Sequence, residues 1–542
     1  MKWEEEHWEK EEVSIVEPLR KLPIGVQSFE ILRQDHYLYI DKTSYIVSLI
    51  RNGRQYFLSR PRRFGKSLLL STMRAYWEGK KELFTGLDIE RLEKDNPEVW
   101  QVYPVFYFDF NRDNFQREDS LESVLETHLQ EWEEQYNCRN AELSLAARFQ
   151  HLLVKAFEQT GRRCVVLVDE YDKPLLEVMH DPKQEEHNKA VFKGFFSTLK
   201  SFDEYLQFVL ITGVTKFSKV SIFSDLNQLK DISIHIKYAG ICGITEKELK
   251  ANFMPEIQAM AGTQEFSTEE CLAELRKMYD GYHFYRNSEA VYNPFSLLNA
   301  LDDHDFRSYW FGTGTPTFLV RRLKELDFEV CQFTDQTLCA TEQVLSDYRS
   351  DNPDPIPLLY QTGYLTLTGY DKEDRVYILG FPNEEVKYGF LNSLMPEYVN
   401  NVGAGSGKDI LSLKRSLDKG DLERIRNVFT ALFASLPYPS GQRPYEHYFQ
   451  TILYLVFMLL DQYVHSEIHS FQGRADCVVE TKNYVYLFEF KRDESADAAL
   501  QQIEENGYAL PYAADPRTLY QIGVNFDSEQ RMLSEWKVKE NR

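Results

Sequence analysis

A short turn near the N-terminus carries residue types that bind phosphate groups. It reads Phe64-Gly65-Lys66-Ser67 and lies between a strand signal and a helix whose apolar residues recur at helical spacing. Gly65 lets backbone N–H groups close on phosphates, Lys66 reaches the β- and γ-phosphates, and the Ser67 hydroxyl ligates Mg2+. The turn therefore predicts a phosphate-binding loop (P-loop).

The residues just before this turn are basic. Arg60 stands where the general P-loop pattern has its first glycine, so the pattern alone leaves the shape of the loop open. Arg62 and Arg63 are either phosphate contacts or solvated surface charges, and the sequence does not separate the two. Because Gly-Lys-Ser alone is common, the interpretation depends on the other half of a nucleotide site.

Two further apolar strands end in residues that complete such a site. The run 164–168 ends in Asp169-Glu170, where Asp169 would hold Mg2+, commonly through water, and Glu170 would polarise the attacking water. The run 207–211 ends in Thr212, at the place of a γ-phosphate sensor. A strand that ends in two acids is also common as a helix cap, but the three signals in this order favour nucleotide binding.

A second group of candidate residues lies near the C-terminus. Alternation along a strand places Glu489 and Lys491 on one face, where Asp476 on a neighbouring strand can meet them. The two carboxylates would hold a Mg2+ that activates water for attack on a phosphodiester, while Lys491 orients or deprotonates that water. The same residue types are frequent as solvated cross-strand pairs, so spacing alone leaves both interpretations open.

The elements that must position the first group alternate between strands and helices. The continuous apolar run before Asp169 is typical of a central parallel strand covered on both faces. This alternation predicts a doubly wound α/β sheet that extends to about residue 245. Helical patterns dominate from about 246 to 345.

The remaining elements predict two further modules. A helix at 356–360, strands at 364–367 and 376–379 and a helix from about Glu384 predict a winged-helix-like module. A glycine-rich stretch within 401–410 predicts a linker. Helices to about Tyr463 and strands at 475–480 and 484–490 then predict a C-terminal α/β domain.

Bulk composition narrows the class of protein. The chain has 542 residues, too many for one hydrophobic core, and its net charge of -23 argues against nonspecific coating of nucleic acid. Seven scattered cysteines without a C-x-x-C pair argue against a disulfide framework. No apolar run is long enough to span a membrane, and no signal-peptide core precedes the fold. A cytoplasmic protein is expected.

Several longer motifs resemble the bacterial AAA-ATPase-like family, which belongs to the AAA/STAND-type P-loop ATPases. The motifs run from about residue 20 to 400 and are Leu22-Pro23-Ile24-Gly25, Tyr39-Ile40-Asp41-Lys42-Thr43, the segments 60–67, 169–174 and 213–218, Tyr279-Asp280-Gly281-Tyr282, Asn293-Pro294-Phe295-Ser296 and Phe381-Pro382-Asn383-Glu384-Glu385-Val386. The resemblance implies ATP and Mg2+ as ligands and makes the missing glycine at Arg60 normal. It also implies that Lys216, where the family often has arginine, keeps a positive charge near the γ-phosphate.

The C-terminal residues resemble the PD-(D/E)xK nuclease-like domains with which such proteins commonly end. The resemblance implies that Glu446 completes the metal site and that Gln502 is the polar residue often found on the following helix. It implies Mg2+ or Mn2+ as the metal and nucleic acid, either DNA or RNA, as the partner. From Arg443 onward the sequence has ten Lys and Arg against sixteen Asp and Glu, an unhelpful balance for gripping phosphates.

These observations predict a charged lead-in (1–20), a P-loop ATPase (21–245), a helical and winged-helix-like middle (246–400), a linker (401–410) and a nuclease-like domain (411–542). The predicted function is an ATP-regulated, metal-dependent nuclease, by analogy in defence. The alternatives are an ATP-dependent binding switch with a degenerate nuclease scaffold, and an ATPase motor tethered to nucleic acid by its C-terminus. A homo-oligomer and a monomer both remain open, and Arg62, Arg63, Arg321 and Arg322 are all candidate arginine fingers.

Overall fold

The computed structural model describes most of the chain between Arg20 and Asn541. The described residues are 20–111, 113–179, 181–216, 228–311, parts of 319–346, 354–398, 406–434, 455–460, 477–527, 529–530 and 532–541. The predicted lead-in therefore lies almost entirely outside them. No helix in these ranges is both long and apolar enough to cross a membrane.

A five-stranded parallel sheet forms the centre of the N-terminal half, as predicted. Its strands are β1 (Gln55–Ser59), β2 (Val105–Asp109), β3 (Cys164–Asp169), β4 (Leu206–Gly213) and β5 (Lys230–Asp231). Their order is β2-β3-β4-β1-β5, so β4 lies between the strand that precedes the phosphate turn and the strand that ends in Asp169. Every residue of β3 is buried, which explains its continuous apolar run.

Nine helices among the described residues flank or precede this sheet. They are α1 (Phe29–Gln34), α2 (Thr43–Asn52), α3 (Lys66–Trp77), α4 (Asp88–Leu92), α5 (Ser120–Gln135), α6 (Leu145–Thr160), α7 (Lys173–Leu176), α8 (Pro182–Phe196) and α9 (Thr198–Ser201). The phosphate turn leads directly into α3, which packs against β2, β3 and β4. The carboxyl ends of the parallel strands therefore face the start of α3.

The middle region begins with a helical layer that has its own core. Its elements are β6 (Ile244–Thr245), α10 (Glu246–Asn252), α11 (Met254–Thr263), α12 (Thr268–Tyr279), β7 (Val291–Tyr292) and α13 (Pro294–Asp303), with β6 and β7 antiparallel. Capping boxes start α10 at Thr245 and α12 at Ser267. Ile24, Leu38 and Ile40 from the N-terminal segment pack against this core and tie it to the P-loop half.

The predicted helix, hairpin and helix follow in that order. They are preceded by β8 (Cys339–Ala340) and α14 (Glu342–Leu345) and consist of α15 (Ile356–Thr362), β9 (Thr366–Asp371), β10 (Val376–Gly380) and α16 (Glu384–Tyr398). β8 joins the hairpin in the antiparallel order β8-β10-β9. The arrangement agrees with the sequence pattern, and its identity as a winged helix stays a prediction.

The C-terminal part is a mixed sheet with helices, consistent with the predicted nuclease-like fold. Its elements are α17 (Ser406–Lys419), α18 (Leu422–Ala434), a helical stretch at 455–460, β11 (Cys477–Glu480), β12 (Tyr484–Arg492), α19 (Ala496–Glu505), β13 (Thr518–Asp527) and β14 (Met532–Asn541). The strand order is β11-β12-β13-β14, with β12 and β13 parallel and the other pairs antiparallel. α19 makes the crossover between the two parallel strands.

The second half of the predicted linker is helical. α17 begins at Ser406, inside the stretch 401–410, because Ile410, Leu413 and Leu417 recur at helical spacing and are buried. This apolar face begins at Ile410, four residues after the start of the helix. The glycines at 403 and 405 lie outside the described residues.

Candidate nucleotide and nuclease sites

The phosphate turn places its glycine where the backbone is left-handed. Gly65 caps the start of α3 with a φ of 93°, in the left-handed region that favours glycine, and Arg63 has a φ of 68°. Lys66 is buried, and its Nζ donates to the carbonyl oxygens of Arg60 at 2.9 Å and Pro61 at 3.0 Å. The lysine therefore lies across the inside of its own loop, where phosphates bind in a P-loop.

Arg60 has a structural role in place of the expected glycine. Its side chain is 1% exposed and donates to the carbonyl oxygens of Ser233 at 2.8 Å and Tyr238 at 3.0 Å. The guanidinium also stacks on the ring of Phe284 at 3.9 Å from the centroid. The arginine thus fixes the loop to the segment that follows β5. Its burial lowers the pKa of the guanidinium.

Aromatic contacts fix the front of the loop to the middle region. The buried ring of Phe64 packs edge-on against Tyr282 at 4.8 Å, and Gly243 N donates to the Phe64 carbonyl at 3.1 Å. Trp310 donates from its indole nitrogen to the Arg62 carbonyl at 3.4 Å. Arg63 lies over the ring of Phe295 at 3.8 Å. The predicted family motifs in the middle region therefore meet the phosphate loop directly.

Asp169 lies at the end of β3 with both carboxylate oxygens hydrogen-bonded. Thr212 Oγ1 donates to one oxygen at 3.0 Å and the Tyr107 hydroxyl donates to the other at 3.2 Å. Asp169 is 1% exposed and Thr212 is fully buried. The structure thus brings Thr212 to Asp169, although neither residue lines the adjacent cavity described below.

The two acids that follow differ in environment. Glu170 has a φ of 50° and faces the cavity, and burial raises the pKa of its carboxyl while nearby Lys66 opposes this. Asp172 is buried and accepts from Val214 N at 3.0 Å and from Thr215 N at 2.6 Å. Asp172 therefore fixes the turn after β4, whereas Glu170 is available to a ligand.

A single cavity of about 480 Å³ extends from the phosphate loop to an apolar chamber. Its phosphate end is lined by Arg62, Arg63, Phe64, Gly65, Lys66, Ser67, Asn111, Glu170, Lys173 and Glu177. Its other end is lined by apolar side chains from the N-terminal segment and the helical layer, among them Ile24, Leu38, Ile40, Ile244, Phe253 and Leu298. The arrangement suits a ligand that has an anionic part and a flat apolar part.

The described part of the C-terminal site lies on β12 and α19. Glu489 is 1% exposed, and Lys491 Nζ lies 4.0 Å from its carboxylate. Lys491 also donates to Gln502 Oε1 across the crossover. α19 can approach this closely because Gly523 on β13 has no Cβ, which would overlap the carbonyl oxygen of Ala496. Three of the predicted residues are therefore together.

The other two predicted residues of this site lie outside the described residues. Asp476 immediately precedes Cys477, the first residue of β11, and Glu446 belongs to the stretch 435–454. β11 pairs with β12 so that Cys477 is opposite Phe488, the residue before Glu489.

Comparisons with known proteins agree with both halves of the molecule. Residues 23–223 match the family described as "Predicted AAA-ATPase" (AAA-ATPase_like), and residues 444–536 match the PD-(D/E)XK nuclease superfamily (PDDEXK_9). A protein of Azotobacter chroococcum mcd 1, named "Uncharacterized protein in vnfD 5'region", is 36% identical over 525 residues, which cover 95% of this chain and 98% of that protein. The chain belongs to the AAA-ATPase-like family. It carries a C-terminal PD-(D/E)XK nuclease superfamily domain.

In this AAA-ATPase-like protein, Lys216 does not lie in the cavity where its predicted contact with a γ-phosphate would be made. Lys216 forms an ion pair with Asp231 and lines a separate cavity of about 210 Å³ behind the phosphate loop. Its backbone N donates to Gln361 Oε1 at 2.8 Å. Since Lys216 does not line the larger cavity, its contact with a γ-phosphate stays a prediction.

Several residues that line the 480 Å³ cavity have no counterpart among the sequence predictions. Lys173 and Glu177 on α7 and its C-terminal flank, and Asn111 after β2, line the phosphate end. Lys173 belongs to the same family motif, 169–174, as Asp169 and Glu170. Its closeness to these acids in the sequence could have identified it as a residue of the same site. Tyr107 gave no signal, because a tyrosine in an apolar strand is indistinguishable from a packing residue. The candidate arginine fingers Arg321 and Arg322 lie outside the described residues.

Proposed function

We propose that this AAA-ATPase-like protein binds ATP with Mg2+ in the 480 Å³ cavity, hydrolyses it, and thereby controls a metal-dependent nuclease in its C-terminal domain. The observation that supports this best is the continuity of one cavity from a phosphate-binding loop to an apolar chamber. A nucleoside triphosphate has the same two-part character.

The phosphate end, together with Asp169 next to the lining residue Glu170, would supply the groups that a triphosphate with Mg2+ needs. The backbone around Gly65 and the ammonium of Lys66 bind the β- and γ-phosphates, with Lys66 leaving the loop carbonyls that it now contacts. Ser67 and Asp169 supply oxygen ligands of the kind that Mg2+ prefers. When bound, the ion neutralises charge on the phosphates.

Glu170 is the proposed general base for hydrolysis. It lines the cavity beside the phosphate loop, and burial raises the pKa of its carboxyl, which improves its ability to take a proton from water near neutral pH. The Arg62 and Arg63 side chains are exposed at the same end and would contact phosphate oxygens. The stack of Arg63 on Phe295 would then change with nucleotide state.

The apolar chamber is the proposed base-binding site. Ile24, Ile40, Phe253 and Leu298 offer flat and aliphatic contacts of the kind that bury a purine ring. These residues come from two regions of the chain that are far apart in sequence. A bound adenine would therefore join the N-terminal segment to the helical layer.

The C-terminal domain is the proposed phosphodiesterase. Glu489 and, by resemblance, Asp476 and Glu446 would hold Mg2+ or Mn2+, and Lys491 would orient or deprotonate the attacking water. The bond from Lys491 to Gln502 would hold the ammonium toward α19. Nucleic acid, either DNA or RNA, is the proposed substrate.

Regulation is proposed to pass through the contacts between the phosphate loop and the middle region. Phe64 packs on Tyr282, Trp310 donates to the Arg62 carbonyl, and Gly363 at the end of α15 approaches the Pro61 ring closely. Nucleotide binding rearranges the loop and would bias these contacts. The middle region in turn precedes the nuclease domain in the chain.

Cleavage of labelled DNA and RNA by the purified protein, with Mg2+ or Mn2+ and with or without ATP, tests the proposal. We expect cleavage to disappear in Asp476→Ala and Lys491→Ala and to respond to ATP only when Lys66 is intact. Lys482→Ala is the matched control, because Lys482 is an exposed lysine of the same domain in the turn before β12. Absence of cleavage in wild type under every condition would instead support the ATP-dependent binding switch.

A further inference from the structure

The carboxylate of Asp169 is hydrogen-bonded from two neighbouring strands. Thr212 Oγ1 on β4 donates to Oδ1 at 3.0 Å, and the Tyr107 hydroxyl on β2 donates to Oδ2 at 3.2 Å. Because β2 and β4 flank β3 in the sheet, the two hydroxyls approach from opposite sides. Both strands therefore restrict the rotation of one buried carboxylate.

The register of the sheet explains how Tyr107 reaches this position. Tyr107 is opposite Leu167, two residues before Asp169, so the long tyrosine side chain spans one diagonal step along the neighbouring strand. Its neighbours Phe106 and Phe108 are fully buried, whereas Tyr107 lies on the other, half-buried face of β2. From this face the hydroxyl reaches Asp169, the last residue of β3.

The ring of Tyr107 is itself supported by the helix that starts at the phosphate loop. The Arg74 guanidinium on α3 lies 5.7 Å from the ring centroid, and Arg74 is bonded to Glu78 on the same helix. α3 also packs against β2 and β3. Tyr107 thus connects the phosphate-loop helix with the strand that carries Asp169.

We infer that Tyr107 is a positioning residue of the nucleotide site, whose hydroxyl, together with that of Thr212, orients Asp169 toward a divalent cation. This inference rests on the proposed ATP site. A carboxylate has about four lone-pair positions, so two hydrogen bonds leave acceptor capacity for the ion or its water. Hydrogen bonds that orient a metal-binding carboxylate typically change metal affinity or activity by about 10–100-fold when they are lost.

Equilibrium binding of a fluorescent ATP analogue, measured with Mg2+ and with EDTA, tests the inference without relying on turnover. We expect Tyr107→Phe to bind the analogue in EDTA like wild type, while the gain in affinity that Mg2+ gives falls about tenfold. Thr212→Val should behave in the same way, and Thr212→Ser should keep the gain because it keeps the hydroxyl. Tyr103→Phe, just before β2, is the matched control and should leave both affinities unchanged.

The outcomes separate this inference from the proposed function. If wild type gains affinity from Mg2+ and Tyr107→Phe gains as much, Tyr107 only packs and the inference is overturned. If Tyr107→Phe and Tyr103→Phe lose equally, the effect is a general loss of packing, which also overturns it. Failure of wild type to bind the analogue at all would overturn the ATP site itself, whatever the variants do.

Discussion

Lys173 is a cation of the proposed nucleotide cavity, and its removal should affect catalysis more than binding. It lines the phosphate end beside Glu170, and its ammonium lies 3.2 Å from the Asn111 carbonyl and 3.8 Å from Glu177. A positive charge there would stabilise the charge that develops on a leaving phosphate. Lys173→Ala should lower the rate constant of ATP hydrolysis by about tenfold or more, with little change in ATP affinity.

Steady-state ATPase kinetics and analogue binding check this prediction together. Lys189→Ala is the control, because Lys189 also pairs with a glutamate at helical spacing, Glu185, and its side chain is 18% exposed against 23% for Lys173. Lys189 does not line the cavity. A Lys173→Ala protein with normal turnover would show that Lys173 only pairs with Glu177.

At the residue scale, the sequence predicted identities better than roles. Gly65, Lys66, Ser67 and Glu170 were grouped as one candidate site from their places after strands, and all four line one cavity. In the sequence, Arg60 was only a departure from the P-loop pattern. Its structural role, which is to hold the loop to the segment after β5, is visible only from its buried hydrogen bonds. Such contacts between residues far apart in sequence cannot be read from spacing.

The loop at Gly281 joins two elements of the middle region at a distance that only glycine allows. Gly281 has a φ of 92°, and a Cβ at this position would overlap the carbonyl oxygen of Pro382. Asn383 Nδ2 donates to the Asp280 carbonyl at 2.7 Å in the same contact. Gly281→Ala should therefore lower the free energy of unfolding by about 2 kcal/mol or more, measured by chemical denaturation.

Gly262→Ala supplies the matched control for Gly281→Ala. Gly262 lies in α11, and a Cβ there would meet no atom within 4 Å. Alanine favours a helix over glycine by about 0.5–1 kcal/mol, so this variant should be as stable as wild type or slightly more stable. Equal destabilisation of both variants would contradict the close approach at Pro382.

Glu385 should make the stability of the middle region depend on pH. Its side chain accepts from Trp310 N at 2.7 Å, and burial raises the pKa of its carboxyl to about 7 from an ordinary value near 4.5. Since the folded state holds the proton more tightly, stability is greatest below about pH 4.5 and falls as pH rises through 7. The loss is roughly 3 kcal/mol by pH 8.

Glu385→Gln tests this dependence, because glutamine keeps an acceptor and does not ionise. The variant should gain in Tm relative to wild type by several degrees between pH 5 and pH 8. Asp280, whose pKa burial raises to about 6, titrates in the same window and should leave part of the slope in the variant. Parallel Tm profiles for the two proteins would show that Glu385 does not titrate there.

At the element scale, the length and regularity of the apolar pattern decided which predictions succeeded. β1 to β4 and the helix–hairpin–helix were predictable because their apolar patterns are continuous or periodic. β5 has only two residues, and β13 and β14 have no counterpart among the predicted strands. β14 carries exposed charges at alternate positions, which is typical of a half-buried strand, but the local pattern does not encode its pairing with β13.

At the scale of the whole molecule, the proposed nucleotide cavity joins segments that are distant in the chain. It is lined by residues of the N-terminal segment, the phosphate loop, α7 and the helical layer as far as Leu298. A ligand that contacts all of them stabilises only the folded arrangement. The net charge of -23 opposes the binding of an anionic ligand. Tight binding of a triphosphate therefore requires that local cations and Mg2+ offset the repulsion.

ATP with Mg2+ should therefore raise the Tm of the ATPase and middle regions together, as one transition, in differential scanning calorimetry. A ligand at 100 times its Kd stabilises the folded state by about 2.7 kcal/mol, which gives a shift of several degrees. Lys66→Ala should abolish the shift, because Lys66 is the buried cation at the phosphate end. Lys491→Ala should keep it, since Lys491 lies on β12 of the nuclease domain. A shift confined to the P-loop half, with the helical layer melting independently, would contradict the contribution of Phe253 and Leu298 to the ligand site.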